Sequence, residues 1–225
     1  KVIKEAEKAF AGVPTFKKQG KEKVLENQTA PEIKVEYKET DQTHLILGLR
    51  AYDVFNKKNP ILQVLNAVLG GGMSSRLFQK LRDEMGVGYY VRSSFDAYTD
   101  HGYLAVATGV DNDRVKEVIG VVLAELKKFT IELVGADELK KAKDYLVGGM
   151  FLGLETSDAC GEFVASQEVL KHNILTPKEI AIKIQKVTAK DIKKIALEIV
   201  QNKNLNLALI GRFRDKKELE GILNF

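Results

Sequence analysis

The chain has 225 residues, of which 44% are hydrophobic and 29% charged, and its formal net charge is +4. Such a chain is long enough to bury a sizeable core and has the composition of an ordinary globular protein. Its 35 basic and 31 acidic residues are interspersed, so the small positive excess favours no nucleic-acid partner. Because no apolar run approaches the roughly 20 residues that span a bilayer, we also expect no membrane partner.

The cysteine count and the first residues bear on location and processing. Cys160 is the sole cysteine, which excludes an internal disulfide and is compatible with a reducing compartment. We interpret it as a small core residue inside a helix.

The sequence opens with Lys1 in a helical pattern and shows no signal peptide. We therefore expect a cytoplasmic fragment, processed subunit or excised domain.

The first part of the chain is predicted to form a helix, an arm and a hairpin. Apolar residues recur at helical spacing over residues 1–10, and residues 15–31 are polar and lysine-rich, which indicates a linker arm. Alternation over residues 33–37 and a more continuous apolar run over residues 44–51 predict two strands. Because a short turn separates these strands, we expect them to pair with each other.

The next segment is predicted to form two helices and two strands. Asn59 is expected to cap the first helix, which ends at the glycines of residues 70–72. A short helix then ends at Gly86, which supplies a left-handed residue. Strands are predicted over residues 89–95 and 102–110, joined by a polar turn.

The rest of the chain is predicted to be mostly helical, with a late strand near residues 205–209 and a short terminal helix. Ser157, Thr176 and Thr188 occupy expected N-cap positions, and Thr176 begins a capping box that ends at Glu179. Three glycines weaken one of these helices, and we interpret them as sites of close backbone packing against the sheet: Gly148, Gly149 and Gly153.

These elements predict an α+β fold in two layers. Short connections favour a mostly antiparallel sheet, and the helices must pack on one of its faces. No long linker divides residues 32–225, so we expect one domain over residues 1–225. Residues 1–31 would form its helix end and linker arm.

The sequence offers no evident metal site or phosphate loop. His44, His101 and His172 are isolated from one another and lack the i+3 or i+4 spacing of zinc helices, so we expect structural or solvated histidines and no metal ligand in this chain. The glycines of residues 70–72 follow a helix rather than a strand, and no lysine occurs until Lys80. A sharp chain reversal explains them better than phosphate binding.

Arg82 and Tyr89 form the most informative pair. Arg82 lies near a helix end, and Tyr89 follows seven residues later across a tight turn. Spacing alone favours the plain interpretation, in which Arg82 complements the negative end of its helix and Tyr89 is an aromatic residue that suits a strand.

A resemblance to a known family favours a functional interpretation of Arg82 and Tyr89 instead. The run Leu-Gly-Gly-Gly-Met-Ser-Ser-Arg-Leu-Phe at residues 69–78, followed by Leu81-Arg82 and Gly86-Val87-Gly88-Tyr89, resembles the second half of pitrilysin/insulinase-family zinc peptidases. The branch is similar to the mitochondrial processing peptidases. Weaker agreement lies in residues 154–157, at Glu162 and in residues 207–211, so the resemblance covers essentially the whole chain.

In that family, two homologous α+β halves enclose a chamber. The first half binds zinc through a His-x-x-Glu-His helix, and the second sends an arginine and a tyrosine across to the metal. Arg82 and Tyr89 match that pair in type and spacing, and this sequence lacks the His-x-x-Glu-His motif. The resemblance implies a catalytic role for both residues, no cofactor in this chain, zinc in a partner half in cis or trans, and a peptide substrate.

Two other functions stay open at this stage. The alternative is a non-catalytic structural or substrate-binding subunit of the same family, although the presence of both Arg82 and Tyr89 favours a half that complements the zinc site. A dimer is compatible with either role. A nucleic-acid-binding module has only the mild basic balance in its favour. If the chain is one half of a zinc peptidase, we expect it to be inactive alone, since it lacks the His-x-x-Glu-His motif.

Overall fold

The structure is a computed structural model that describes residues 1–17 and 20–225, so residues 18–19 of the predicted arm lie outside the described residues. The strands are β1 (Glu32–Tyr37), β2 (Gln42–Ala51), β3 (Tyr90–Ala97), β4 (Gly102–Asp111) and β5 (Leu205–Gly211). The α-helices are α1 (Val2–Phe10), α2 (Asn59–Gly70), α3 (Arg76–Phe78), α4 (Val115–Ile131), α5 (Ala136–Gly153), α6 (Ser157–Lys171), α7 (Pro177–Gln185), α8 (Ala189–Ile199) and α9 (Lys217–Glu220). A π-helical turn (Gln79–Glu84) continues α3, and short 3-10 turns precede α4 (Asn112–Arg114) and β5 (Asn202–Asn204).

The strands form one five-stranded sheet in the order β1-β5-β2-β4-β3. All neighbours are antiparallel except β1 and β5, which run parallel. The predicted α+β fold with a mostly antiparallel sheet is therefore confirmed.

The predicted hairpin of the first two strands is wrong, because β5 lies between β1 and β2. Leu205, Leu207 and Leu209 of β5 are all buried on the face that the helices cover, as expected for a strand of a sheet that is covered on one side. The four residues between β1 and β2 are long enough to step over one strand, about 10 Å at the usual strand spacing. A turn signal alone cannot distinguish this arrangement from a hairpin.

The arm that precedes β1 crosses one end of the sheet. Lys21 Nζ lies 2.8 Å from a carboxylate oxygen of Asp100 in the β3–β4 turn, and Glu26 pairs with Arg50 at the end of β2 at 3.2 Å. Gln28 Nε2 then donates to the carbonyl of Leu205 at the start of β5. This path delivers the chain to the far edge of the sheet, where β1 begins beside β5.

The helices cover one face of the sheet. On β2 the side chains of Leu45, Leu47 and Leu49 are buried in the core with α2, α4 and α8. The alternate residues of the same strand point to the other face, where Ile46 is 52% exposed. The sheet is thus buried on one side and open on the other.

Helix caps follow the sequence expectations in part. Thr176 with Glu179, and Thr188 with Asp191, form complete capping boxes. The residue that caps α6 is Thr156, one position before the expected Ser157. Asn59 does not cap α2, because Lys58 occupies the N-cap position and the Asn59 amide donates to the carbonyl of Asp53 instead.

Two interpretations are wrong: Cys160 is not a core residue, and the three glycines of α5 do not mark close packing against the sheet. Cys160 is exposed, and a Cβ placed on Gly148, Gly149 or Gly153 would meet nothing within 4 Å. Of the residues in α5 only Ala142 is buried, and α6 has none. Helical periodicity indicates an apolar stripe on a helix but does not show whether other elements pack against that stripe.

These glycines generate a testable prediction. Gly148→Ala and Gly149→Ala should each raise the free energy of unfolding by about 0.5–1 kcal/mol, because alanine gains helix propensity and meets no neighbour. Urea unfolding followed by circular dichroism measures the change. The matched control is Gly102→Ala, whose Cβ would collide with the backbone carbonyl of Tyr52 and should cost about 2 kcal/mol. Destabilisation by the α5 substitutions would contradict the exposed placement of these glycines.

Candidate functional site

The turn that carries Arg82 and Tyr89 is built by two glycines and one buried anchor. Gly86 and Gly88 have φ values of 62° and 86°, in the left-handed region that glycine favours. Between them Val87 is buried, and its N–H donates to the carbonyl of Leu81 at 2.8 Å. The predicted stop at Gly86 is confirmed, and the wide π-helical turn before it places Arg82 next to the start of β3.

The structure brings Arg82 and Tyr89 together. The Arg82 Nη1 atom donates to the backbone carbonyl of Tyr89 at 2.7 Å, and the Tyr89 N–H donates to the carbonyl of Gly109 at 2.9 Å. Both polar groups of the Tyr89 backbone are therefore held in place, although Tyr89 lies one residue ahead of β3. Its side chain is 60% exposed. The arrangement presents a guanidinium and a phenol to solvent at one end of the sheet.

Arg82 retains donors for a ligand. A guanidinium carries five N–H groups, and the contact with Tyr89 uses one. The same guanidinium lies 5.6 Å from the centre of the Phe78 ring, a cation–π distance that orients the group. The site can therefore donate several hydrogen bonds to carbonyl or carboxylate oxygens.

A second pair of polar side chains, His44 and Tyr90, lies beside this turn and was not predicted from the sequence. The His44 and Tyr90 rings stack with centroids 6.0 Å apart, and His44 Nδ1 lies 3.3 Å from the Tyr90 hydroxyl. The register places both residues opposite Gly109 of β4. A Cβ at Gly109 would lie 3.0 Å from each ring, so the glycine makes room for the pair. Only the strand order brings these distant residues together, and no local pattern signals it.

The other motif residues have structural roles. Arg76 forms a two-pronged ion pair with Glu138 of α5 at 2.6 and 2.8 Å, and this hydrogen bonding raises the pKa of Arg76 above its ordinary value. Gly70 and Gly71 have no room for side chains, because a Cβ would lie 2.6 Å from Ser93 Oγ and from Ala67 Cα respectively. The glycine run thus permits a sharp reversal and a close approach to β3.

Within residues 1–17 and 20–225, no group of three or more His, Cys, Asp or Glu side chains is placed to hold a metal ion. His101 pairs with Asp100 at 2.8 Å, and His172 lies 3.3 Å from Glu168 on an exposed helix. Among the described residues, no helix is both long and apolar enough to cross a membrane.

The open face of the sheet forms a trough of about 850 Å³. Its floor combines the partly exposed Ile46 with small residues from three strands: Gly48, Ala105, Ala107 and Ala208. Arg92 and Asp96 of β3 lie along one side. The trough extends from the centre of the sheet toward the end that carries the β3–β4 turn, which is the end opposite Tyr89, and it leaves space for an extended chain.

The turn geometry yields a prediction about positioning. Gly88→Ala should lower the free energy of unfolding by about 1 kcal/mol or more, because its φ of 86° strains any other residue. Tyr89→Phe should change it by less than about 0.5 kcal/mol, since the side chain is exposed. Thermal denaturation of both variants measures the difference. A neutral Gly88→Ala would show that the left-handed turn does not hold Tyr89 in place.

Known proteins place the chain in a family. Residues 1–146 match the family model described as the peptidase M16 inactive domain. The chain is 30% identical over 180 residues to an uncharacterized zinc protease of Streptomyces coelicolor, covering 80% of this chain and 39% of that protein. It is 31% identical over 213 residues to the uncharacterized zinc protease YmxG of Bacillus subtilis, covering 93% of this chain and 50% of that protein.

A solved structure has the same fold. A protease from Helicobacter pylori superimposes with a TM-score of 0.84 at 18% identity, covering 93% of this chain and 51% of that chain. At this identity the likeness supports the fold alone. The chain spans about half or less of the length of these three proteins. The expected resemblance to the second half of insulinase-like zinc peptidases is confirmed: the chain belongs to the peptidase M16 inactive-domain family, among relatives of the zinc proteases.

Proposed function

We propose that this chain is the complementing half of a zinc-dependent endopeptidase. It supplies Arg82, Tyr89 and one wall of a peptide-binding chamber to a zinc site on a second, homologous domain or chain. The observation that carries this proposal is the fixed pair at the end of the open sheet, where Arg82 donates to the Tyr89 carbonyl at 2.7 Å. The family match and the half-length coverage of zinc-protease relatives support it.

Tyr89 is suited to stabilise negative charge. Peptide hydrolysis places growing negative charge on the carbonyl oxygen of the scissile bond. A phenolic hydroxyl held near that oxygen interacts more strongly with the charged transition state than with the neutral carbonyl. Tyr89 has an exposed side chain on a backbone that is fixed at both its N–H and its carbonyl. Such fixation reduces the cost of aligning the donor.

Arg82 is suited to bind the peptide itself. Its unused N–H groups can hold backbone carbonyls on either side of the scissile bond, since a guanidinium presents donors in a planar fork. The contact with Tyr89 also fixes the two side chains relative to each other. Loss of Arg82 would therefore affect both peptide binding and the placement of Tyr89.

The zinc ion belongs to the partner half in this proposal. The described residues of this chain offer no ligand set for it, so the metal would supply its chemistry from the other side of the chamber. The open trough would form the facing wall and accept an extended peptide. The partner half can be joined in cis or associate in trans.

Reconstitution tests the proposal. The isolated chain should bind no zinc stoichiometrically and cleave no peptide. Addition of the zinc-binding half from the same genome should produce cleavage of short or unfolded peptides, measured with a quenched fluorescent peptide. A reconstituted pair that binds peptide without cleaving it would favour the alternative, a non-catalytic structural or substrate-binding subunit.

The roles of the two residues are separable in that reconstituted enzyme. Tyr89→Phe should lower kcat by about 10²-fold with KM nearly unchanged, because the hydroxyl acts in the transition state. Arg82→Ala should raise KM and lower kcat together, because it acts on bound peptide as well. Steady-state kinetics measure both.

The control is Tyr37→Phe, whose hydroxyl contacts Glu39 on the opposite edge of the sheet. It should leave both constants unchanged. Equal effects of Tyr37→Phe and Tyr89→Phe would show that the Tyr89 hydroxyl has no role in the reaction.

A further inference from the structure

A second cavity lies on the helix side of the molecule and is lined by lysines. Its volume is about 710 Å³, and it is bounded by the connection between β2 and α2, the end of α6, and α7. We call it the lysine groove. Four of its lining residues are lysines: Lys57, Lys171, Lys183 and Lys186. None of its lining residues belongs to the turn that carries Arg82 and Tyr89.

One wall of the lysine groove is fixed by a series of short side-chain contacts. The Asp53 carboxylate accepts the N–H of Phe55 at 2.9 Å, and the Asn56 side chain accepts the N–H of Lys58 at 2.9 Å. The Asn59 amide donates to the carbonyl of Asp53 at 2.8 Å. These contacts shape the loop before α2 without any ligand.

The opposite wall is fixed by Gln167. Its side-chain oxygen accepts the N–H of Leu175 at 3.0 Å, and its side-chain nitrogen donates to the carbonyl of the same residue at 3.2 Å. This paired contact ties the α6–α7 connection to α6. Because both walls are already ordered, a ligand would bind without a large ordering cost.

The charge of the lysine groove is unbalanced. Its four lysines are exposed, and no ion pair involves any of them within the ranges 1–17 and 20–225. Asp191 is the acidic residue among those lining the cavity, and its carboxylate already accepts two hydrogen bonds from Thr188. Hydrogen bonds from Thr176 hold the pKa of the nearby Glu179 below its ordinary value, so Glu179 stays charged beside Lys183. Four lysines against these two carboxylates still leave a positive excess, which attracts negative charge from outside the chain.

The lining between the lysines is apolar. Phe55 is 57% exposed at the mouth, and Ile61, Leu175 and Ile180 also line the cavity. Phosphate groups alone would leave this apolar surface in water. A peptide that combines carboxylates with leucine or aromatic side chains would satisfy both the lysines and the apolar lining.

We infer that the lysine groove is a docking site for an acidic, apolar-bearing peptide segment of a partner protein. Carboxylates of the segment would pair with the rim lysines, and its leucine or aromatic side chains would cover Phe55 and Ile180. This binding is separate from peptide hydrolysis and does not depend on the proposed function.

Fluorescence anisotropy with a labelled twelve-residue peptide of glutamate, leucine and phenylalanine tests the inference on the full chain. We expect binding at 50 mM NaCl that weakens as salt rises, because the lysines are exposed. The double variant Lys183→Glu/Lys186→Glu should weaken binding by about 10-fold or more, since it opposes like charges.

Matched controls separate the groove from general charge effects. Lys116→Glu/Lys127→Glu makes the same charge change on exposed positions of α4 outside the groove and should leave affinity within about 2-fold. Phe55→Ser should also weaken binding, whereas Tyr89→Phe should not. Circular dichroism of each variant confirms folding.

Three results would overturn the inference. The first is equal loss of affinity in the groove and control charge variants. The second is equal binding of a peptide in which lysine replaces glutamate. The third is tighter binding of a twelve-nucleotide single strand than of the acidic peptide, which would assign the lysines to nucleic acid instead.

Discussion

One-sided burial of the sheet is the constraint on which the rest of the structure depends. The central strands send leucine and valine side chains into the helical layer, where Leu45, Leu104 and Leu207 are almost fully buried. The opposite face has no second layer among the described residues, and glycine and alanine surround Ile46 at its centre. The fold therefore gains its stability from one face and leaves the other face exposed.

The candidate site follows from this arrangement because it lies where the open sheet ends. Arg82 comes from the helical segment and Tyr89 from the chain that enters β3, so the tight turn between them joins the two layers. The hydrogen bond from Arg82 to the Tyr89 carbonyl closes that turn. A donor pair held by backbone contacts, rather than by a flexible loop, is a suitable arrangement for recognising a peptide carbonyl.

Local features were predictable from the sequence, and non-local ones were not. The capping box at Thr176, the N-cap at Thr188 and the left-handed Gly86 depend on neighbouring residues alone, and the structure confirms them. The insertion of β5 between β1 and β2 depends on residues some 160 positions apart. The short turn between β1 and β2 therefore led to the wrong prediction that these two strands pair. Cys160 was misplaced for a related reason, since helical spacing does not show whether a helix is covered.

The candidate site shows the same division. The spacing of Arg82 and Tyr89 across a glycine turn was visible, and the resemblance gave it meaning. The neighbouring His44–Tyr90 pair appeared only once β2, β4 and β3 were placed in register. The lysine groove likewise combines Lys57 and Lys183, which lie far apart in the chain. Its concentration of positive charge was therefore not visible among the interspersed charges of the sequence.

The central claim is that the Tyr89 hydroxyl meets the reacting carbonyl oxygen. Its most direct test is the affinity of the reconstituted pair for a peptide with a tetrahedral phosphinate in place of the scissile amide, compared with an uncleavable ordinary peptide. If the claim holds, Tyr89→Phe weakens phosphinate binding by about 10²-fold and hardly changes binding of the ordinary peptide. Equal effects on both ligands, or none on either, would contradict it.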